Sequence, residues 1–225
     1  MQLAKAFFDV GLFSNQAAAH HSFWSERIAL PFDHSLKLGG GVLQHRFQVG
    51  SAVLKLNDAR DPLPTARGPI RELLVAHPDC QQVESLQDPD GNRITRVPSG
   101  HDDIHGLAVR LAVADPARSA DFYQRALGCK LISPARLQAG EAILLLEQAD
   151  SPAEQEQPLA AIGLRYLTLQ VFDCDAAHAA ALAAGASNGR DPVTLGSTAR
   201  IAFIRDPDGT WIELSERASV TGKAV

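Results

Sequence analysis

The stretch Phe203–Leu214 reads F-I-R-D-P-D-G-T-W-I-E-L, and its centre is a turn. Proline sets φ at the second turn position, aspartate bonds back to nearby amides, and glycine accepts a positive φ, so Asp206-Pro207-Asp208-Gly209 reverses the chain between two strands. The same tetrapeptide recurs at Asp88-Pro89-Asp90-Gly91, inside 83–97, again with a strand-like run on each side. The matching flanks make these two copies of one unit rather than two chance turns.

Working outward, a second repeated piece precedes each hairpin. Leu107–Val113 (L-A-V-R-L-A-V) alternates, and Asp115-Pro116 opens a helical segment ending at Gly128. Leu167–Val171 (L-T-L-Q-V) alternates likewise, and Asp173 opens an alanine-rich helix ending at Gly185. Aspartate as N-cap, proline at the first helical position and glycine past the last turn are the expected end signals. The N-terminal region fits the template with strands at 6–13, 42–47 and 52–56, and a helix from about 16 to 30 carrying Phe23, Trp24 and Ile28 on its apolar side. A strand at 70–76 then meets the first D-P-D-G hairpin with too little chain between for a helix, so this second unit is truncated. Four units result, at 1–57, 68–98, 104–150 and 163–217, with a boundary at 98–103, a linker at 150–157 and an aperiodic tail at 218–225.

A chain of 225 residues with 45% hydrophobic and 21% charged residues buries a full core without staples. A net charge of -5 and the lack of a basic cluster argue against nucleic acid as a partner, and no apolar run approaches the about 20 residues of a membrane span. Cys80, Cys129 and Cys174, odd in number and without C-x-x-C spacing, point to a reducing compartment. Asp9 interrupts the N-terminal apolar stretch before a signal-peptide core forms, so a cytoplasmic location is expected.

The helix motif Asp115, Phe122, Tyr123, Leu127, Gly128, and the closing F-x-x-D-P-D-G-x-x-I-E-L, together resemble the vicinal oxygen chelate superfamily, which holds glyoxalase I, extradiol dioxygenases and bleomycin-resistance proteins. The resemblance is specific over about 104–217 and looser over 1–98. It implies an α+β fold of paired βαβββ modules forming two curved-sheet barrels, helices outside and a ligand cavity inside each. It pairs units one and two as an N-terminal barrel (1–98) and units three and four as a C-terminal barrel (104–217). A small-molecule substrate or ligand and a homodimer fit the same resemblance.

Strand alternation nominates a site. With the apolar set facing the helices, Arg110, Tyr166, Thr168, Gln170, Trp211 and Glu213 all fall on concave faces. Arg110 would supply fixed positive charge, Tyr166 a hydrogen bond and Glu213 a base, as catalytic groups for proton abstraction beside a carbonyl; Thr168, Gln170 and Trp211 would contact substrate. Family metal sites use a His in a unit's first strand and a Glu in a last strand. Here the His positions fall at Asp9, Ala108 and Tyr166, and the Glu positions at Lys55, Thr95 and Glu213, leaving only Glu213 in place. A divalent iron, manganese, nickel or zinc ion would need ligands besides Glu213, such as His45 beside Asp9 and Glu72 in the first barrel, or His101 and His105 at the rim of the second. The substitutions at Asp9 and Lys55 predict instead a salt bridge where a metal would sit. Two functions follow: an enzyme of the lyase, isomerase or ring-cleaving dioxygenase type acting on a small oxygenated molecule, and a protein that binds or sequesters a small molecule without changing it, as resistance proteins do.

Overall fold

The computed structural model describes residues 1–150 and 157–225; the expected linker at 150–157 lies almost wholly outside the described residues. Its elements run β1 (Leu3–Ser14), α1 (Ala17–Ser22), a π-turn (Phe23–Arg27), β2 (Phe32–Gly39), β3 (Val42–Val49), β4 (Ala52–Ala59), β5 (Ile70–His77), β6 (Glu84–Gln87), β7 (Arg93–Pro98), β8 (Leu107–Val113), α2 (Pro116–Leu127), β9 (Lys130–Ser133), β10 (Arg136–Ala139), β11 (Ala142–Gln148), β12 (Gly163–Val171), α3 (Cys174–Ala183), β13 (Ser187–Leu195), β14 (Ala199–Arg205), β15 (Trp211–Arg217) and α4 (Ala218–Thr221). These are the four expected modules, the second without its helix. The aperiodic tail at 218–225 begins with a one-turn helix.

The modules pair otherwise than expected. One sheet of eight strands has the order β13-β14-β15-β12-β1-β4-β3-β2, and one of seven has β6-β7-β5-β8-β11-β10-β9. Module one therefore shares a sheet with module four, joined antiparallel through β1 and β12, while modules two and three share the other through β5 and β8. The division into an N-terminal barrel over 1–98 and a C-terminal barrel over 104–217 is corrected by this order. Each module presents an open edge on its first strand, and repeat similarity does not specify which edge meets which. The segment at 57–68 carries the chain from one sheet to the other.

The cap chemistry is as read. Asp115 accepts from the amides of Ala117 and Arg118, Gly128 closes α2 at φ 72°, and Asp173 accepts from the amide of Ala176 at the start of α3. The N-terminal helix is shorter than expected: after one turn it widens into the π-turn, and Ala29 at φ 65° with Pro31 ends it, freeing Phe32–Gly39 to form an exposed edge strand. The apolar faces of both sheets join one core, in which Val10, Leu54, Leu167 and Ile212 of the first sheet meet Leu73, Val109 and Leu144 of the second. The other face of each sheet is concave, and these two hollows are the places where a site can lie.

Candidate functional site

In the hollow of the eight-stranded sheet the alternation sorts side chains as read from sequence. Thr168 stands opposite Asp9 on β1 and opposite Glu213 on β15. Lys55 reaches in from β4, and its Nζ donates to Thr168 Oγ1 at 2.6 Å and to Glu213 Oε2 at 2.9 Å, with Asp9 Oδ2 at 3.9 Å. Thr168 Oγ1 in turn donates to Glu213 Oε2 at 2.6 Å, and Asp9 Oδ1 accepts from the Val53 amide at 3.0 Å. Burial alone would raise the Glu213 carboxyl, but Lys55 and Thr168 hold it below the usual carboxylate range. The salt bridge expected between Asp9 and Lys55 is present at its outer limit, and the closer partner of Lys55 is Glu213.

Tyr166 lies beyond this group. Its hydroxyl accepts from Asn57 Nδ2 at 3.1 Å and Gln44 Nε2 at 3.4 Å, and its ring closes on Gly11, where a Cβ would come within 2.0 Å of Tyr166 Cε1. Burial, then the charge of Glu213, pushes the phenol well above its ordinary range. The hollow is filled: Phe13, Tyr166, Ala199, Ile201 and Phe203 form a cluster against which Leu63, Leu159 and Trp211 pack. Trp211 donates from Nε1 to the Gln157 carbonyl at 2.8 Å, and Gln170 is buried. Glu213, Tyr166, Thr168, Gln170 and Trp211 thus share one face, but as interior rather than as pocket lining. Arg110 is not among them. It lies in the other sheet, which corrects the expected grouping with Tyr166 and Glu213: the residues sit on concave faces as read, but of two different hollows.

A divalent ion does not fit here. The Lys55 ammonium stands among Asp9, Thr168 and Glu213, and the donor set offers no imidazole. His45, expected to be recruited, pairs across the strands with Leu56, whose side chain belongs to the core on the convex side; its Nδ1 instead meets Ser35 Oγ at 2.8 Å. Among the described residues no group of three or more His, Cys, Asp or Glu side chains is placed to hold a metal.

The hollow of the seven-stranded sheet is half filled and half open. Leu74, Val97, Ile104, Ala108 and Ile143 pack its closed half. The open half is a cavity of about 890 Å³ whose floor carries Glu72, Arg110, Ala112 and Glu147. Glu72, almost fully buried, accepts from Arg110 Nε at 2.7 Å and Thr95 Oγ1 at 2.5 Å, with Arg93 Nε at 3.1 Å. Burial would raise its carboxyl; Thr95, Arg110 and Arg93 outweigh that and hold it below the usual range. Arg110 Nε also stands 3.7 Å from Glu147 Oε2, a carboxylate 61% exposed. The two outer nitrogens of Arg110 make no hydrogen bond among the described residues, so a two-pronged donor edge is left for whatever enters. The site residues that sequence reasoning passed over are Arg71, Arg93 and Glu147, with Glu72 noted only as a neighbour of a metal. The polar-to-apolar alternation Glu72, Leu74, Ala76 on β5 and Glu147, Leu145, Ile143 on β11 was the signal for two of them.

Residues 105–214 match the model of the Glyoxalase/Bleomycin resistance protein/Dioxygenase superfamily. Among solved structures, glyoxalase I from Zea mays superposes with a TM-score of 0.77 at 18% identity, over 92% of this chain and 91% of that one. A Bacillus subtilis protein named as a candidate dioxygenase superposes with a TM-score of 0.64 at 10% identity, over 96% of this chain and 89% of that one. At these identities the likeness shows the fold alone. No curated protein matches the sequence.

Proposed function

We propose that this chain, whose residues 105–214 match the Glyoxalase/Bleomycin resistance protein/Dioxygenase superfamily and whose fold is that of glyoxalase I, takes a small oxygenated organic molecule into the cavity over the seven-stranded sheet and acts on it by a lyase- or isomerase-type proton shift. The supporting observation is Arg110, a residue of the cavity lining whose Nε is anchored on Glu72 while its outer nitrogens make no hydrogen bond among the described residues. A guanidinium fixed in that way offers parallel donors to two adjacent oxygens and stabilises charge that develops on them. This is the electrostatic part that the resemblance assigns to a divalent iron, manganese, nickel or zinc ion, and the donors at neither hollow fit such an ion. Glu72 is a poor base, since three donors hold it ionised; Glu147, exposed and loosely placed beside Arg110, is the carboxylate free to move a proton. The three buried, unpaired cysteines fit a reducing compartment, and the reading places the protein in the cytoplasm.

A second reading is favoured by the same depressed Glu72: with Arg93, Arg110 and Glu147 it forms a charge-balanced floor that suits holding a ligand without changing it, as sequestering members of the superfamily do. Incubating the protein in D2O with α-hydroxyketones and following their carbon-bound protons by NMR separates the two. Deuterium incorporation or turnover that falls at least 100-fold in Glu147→Gln and vanishes in Arg110→Met, both folded, is the expected result. Compounds that bind and return unlabelled from the native protein would replace the enzyme with the sequestering protein.

A further inference from the structure

The cavity has a second cationic end that the chemistry at Arg110 does not use. Strand β5 begins irregularly: Ile70 pairs with Leu111 and Glu72 with Arg110, so Arg71 is an extra residue without a partner on β8. A bulge of this kind re-aims a side chain. Here it lets Ile70 and Leu73 both join the core while Arg71 and Glu72, adjacent in sequence, both line the cavity. Arg71 makes no ion pair or hydrogen bond among the described residues, and its Nη1 is buried without a partner. A buried donor left unmade is costly, and a native structure keeps one where something else supplies the acceptor.

Arg67, also on the cavity wall, is close enough that its charge, after burial, lowers the pKa of Arg71. Glu147 acts on Arg71 in the opposite sense and more weakly. The segment that carries Arg67 is held firmly. Thr65 bridges Ile162, the Ile162 amide donates to the Pro64 carbonyl at 3.0 Å, and Arg165 Nη1 donates to the Ala66 carbonyl at 2.9 Å. Arg165 is itself almost fully buried, and among the described residues it is bonded to carbonyls alone, those of Ala66, Pro158 and Leu159. Arg67 and Arg71 both line the cavity and make no ion pair among the described residues, and Arg165, bonded to the carbonyl next to Arg67, adds its charge behind them.

We propose that Arg71, with Arg67 beside it, is a receptor for an oxyanion, a carboxylate or phosphate group, on the molecule that occupies the cavity. The planar guanidinium fork of Arg71 meets two oxygens of such a group, and its buried Nη1 finds there the acceptor the protein withholds. The occupant is then an organic acid or phosphate ester, its charged end at Arg71 and its remaining oxygens toward Arg110. This rests on the reading of the cavity as the working site and adds the class of ligand.

The test is calorimetric titration of the full chain with benzoate, phenyl phosphate and the uncharged benzamide, at low and at 0.5 M salt. The expected result is that one of the anions binds at least tenfold more tightly than benzamide, that Arg71→Gln brings the ratio close to one, that Arg71→Lys keeps part of it, and that salt weakens only the anion. Ala112→Trp, which blocks the cavity floor, removes all binding. Equal affinity for acid and amide, lost in Ala112→Trp, would overturn the receptor and leave the cavity reading intact. A preference that survives Arg71→Gln but disappears in Arg110→Gln would assign the anion to Arg110 and overturn the proposal as well. Absence of binding by every probe counts against both, and binding that Ala112→Trp leaves unchanged removes the cavity itself as the site.

Discussion

Lys55 is the residue around which the filled hollow is organised. Its side chain is 1% exposed, and the two carboxylates it faces, Asp9 and Glu213, are buried with it. Removing one partner of a buried pair leaves the other charge without compensation, so Lys55→Met is expected to destabilise the protein by roughly 3–5 kcal/mol at pH 7 in denaturant unfolding. Adding Glu213→Gln to that variant returns part of the loss, because it removes one orphaned charge. The pH dependence has a definite sign. The Glu213 carboxyl is depressed in the folded state, so its contribution is present above its unfolded value of about 4.3 and is lost as pH falls through the lower folded value. Native protein should lose this increment below about pH 4, and Lys55→Met should not. An unfolding free energy for Lys55→Met equal to that of the native protein would show that the ion group contributes nothing.

At the scale of elements, the D-P-D-G turns do more than reverse the chain. Asp206 accepts from the amides of Asp208 and Thr210 within its own turn and from Tyr123 of α2 at 2.7 Å, while Asp208 accepts from the Ala114 amide, Arg118 and Ser119 at the start of α2. The other turn does the same for α1: Asp90 meets His20 Nε2 at 2.8 Å and accepts from Gln16 Nε2 at 2.8 Å. Each turn thereby clips a module of one sheet to a module of the other. Burial pushes the Asp206 carboxyl up to about 6 despite its donors. Tyr123→Phe is expected to cost about 1.5–3 kcal/mol at pH 7.5, the range for a hydrogen bond to a charged group, and distinctly less at pH 5, where Asp206 carries its own proton. Denaturant curves at the two pH values check this, and a cost that rises on acidification would contradict it. The turns and caps were legible because their residues act locally. The clip through His20 was not. His20 is fully buried, and its ring is bonded to Trp24 and to an aspartate seventy residues away. The edge strand Phe32–Gly39 was missed although Phe32, Leu36 and Leu38 alternate with Asp33, Ser35 and Lys37; mostly exposed, it buries neither face. The candidate site was half legible. Alternation put Arg110 and Glu213 on concave faces correctly, but which concave face each joined depends on the pairing of modules far apart in the chain.

That pairing governs the whole molecule. The first half contributes β1–β4 to one sheet and β5–β7 to the other, and the second half contributes β8–β11 and β12–β15, so neither half contains a complete sheet. Cut at 99–103, each fragment would expose the unpaired edges of two first strands, β1 and β5 in one and β8 and β12 in the other, along with the apolar faces that meet in the shared core. Fragments 1–98 and 104–225 are therefore expected to be largely unfolded or aggregated alone and to gain cooperative thermal unfolding only when refolded together, as read by circular dichroism and size-exclusion chromatography. A fragment that folds by itself as a monomer would mean that consecutive modules can close a barrel after all. The same architecture explains why the two hollows could diverge. Each is built by two modules distant in sequence, so one could be packed shut around Lys55 while the other kept its arginines facing an open cavity, without either change disturbing the hydrogen-bonded ladder of its neighbour.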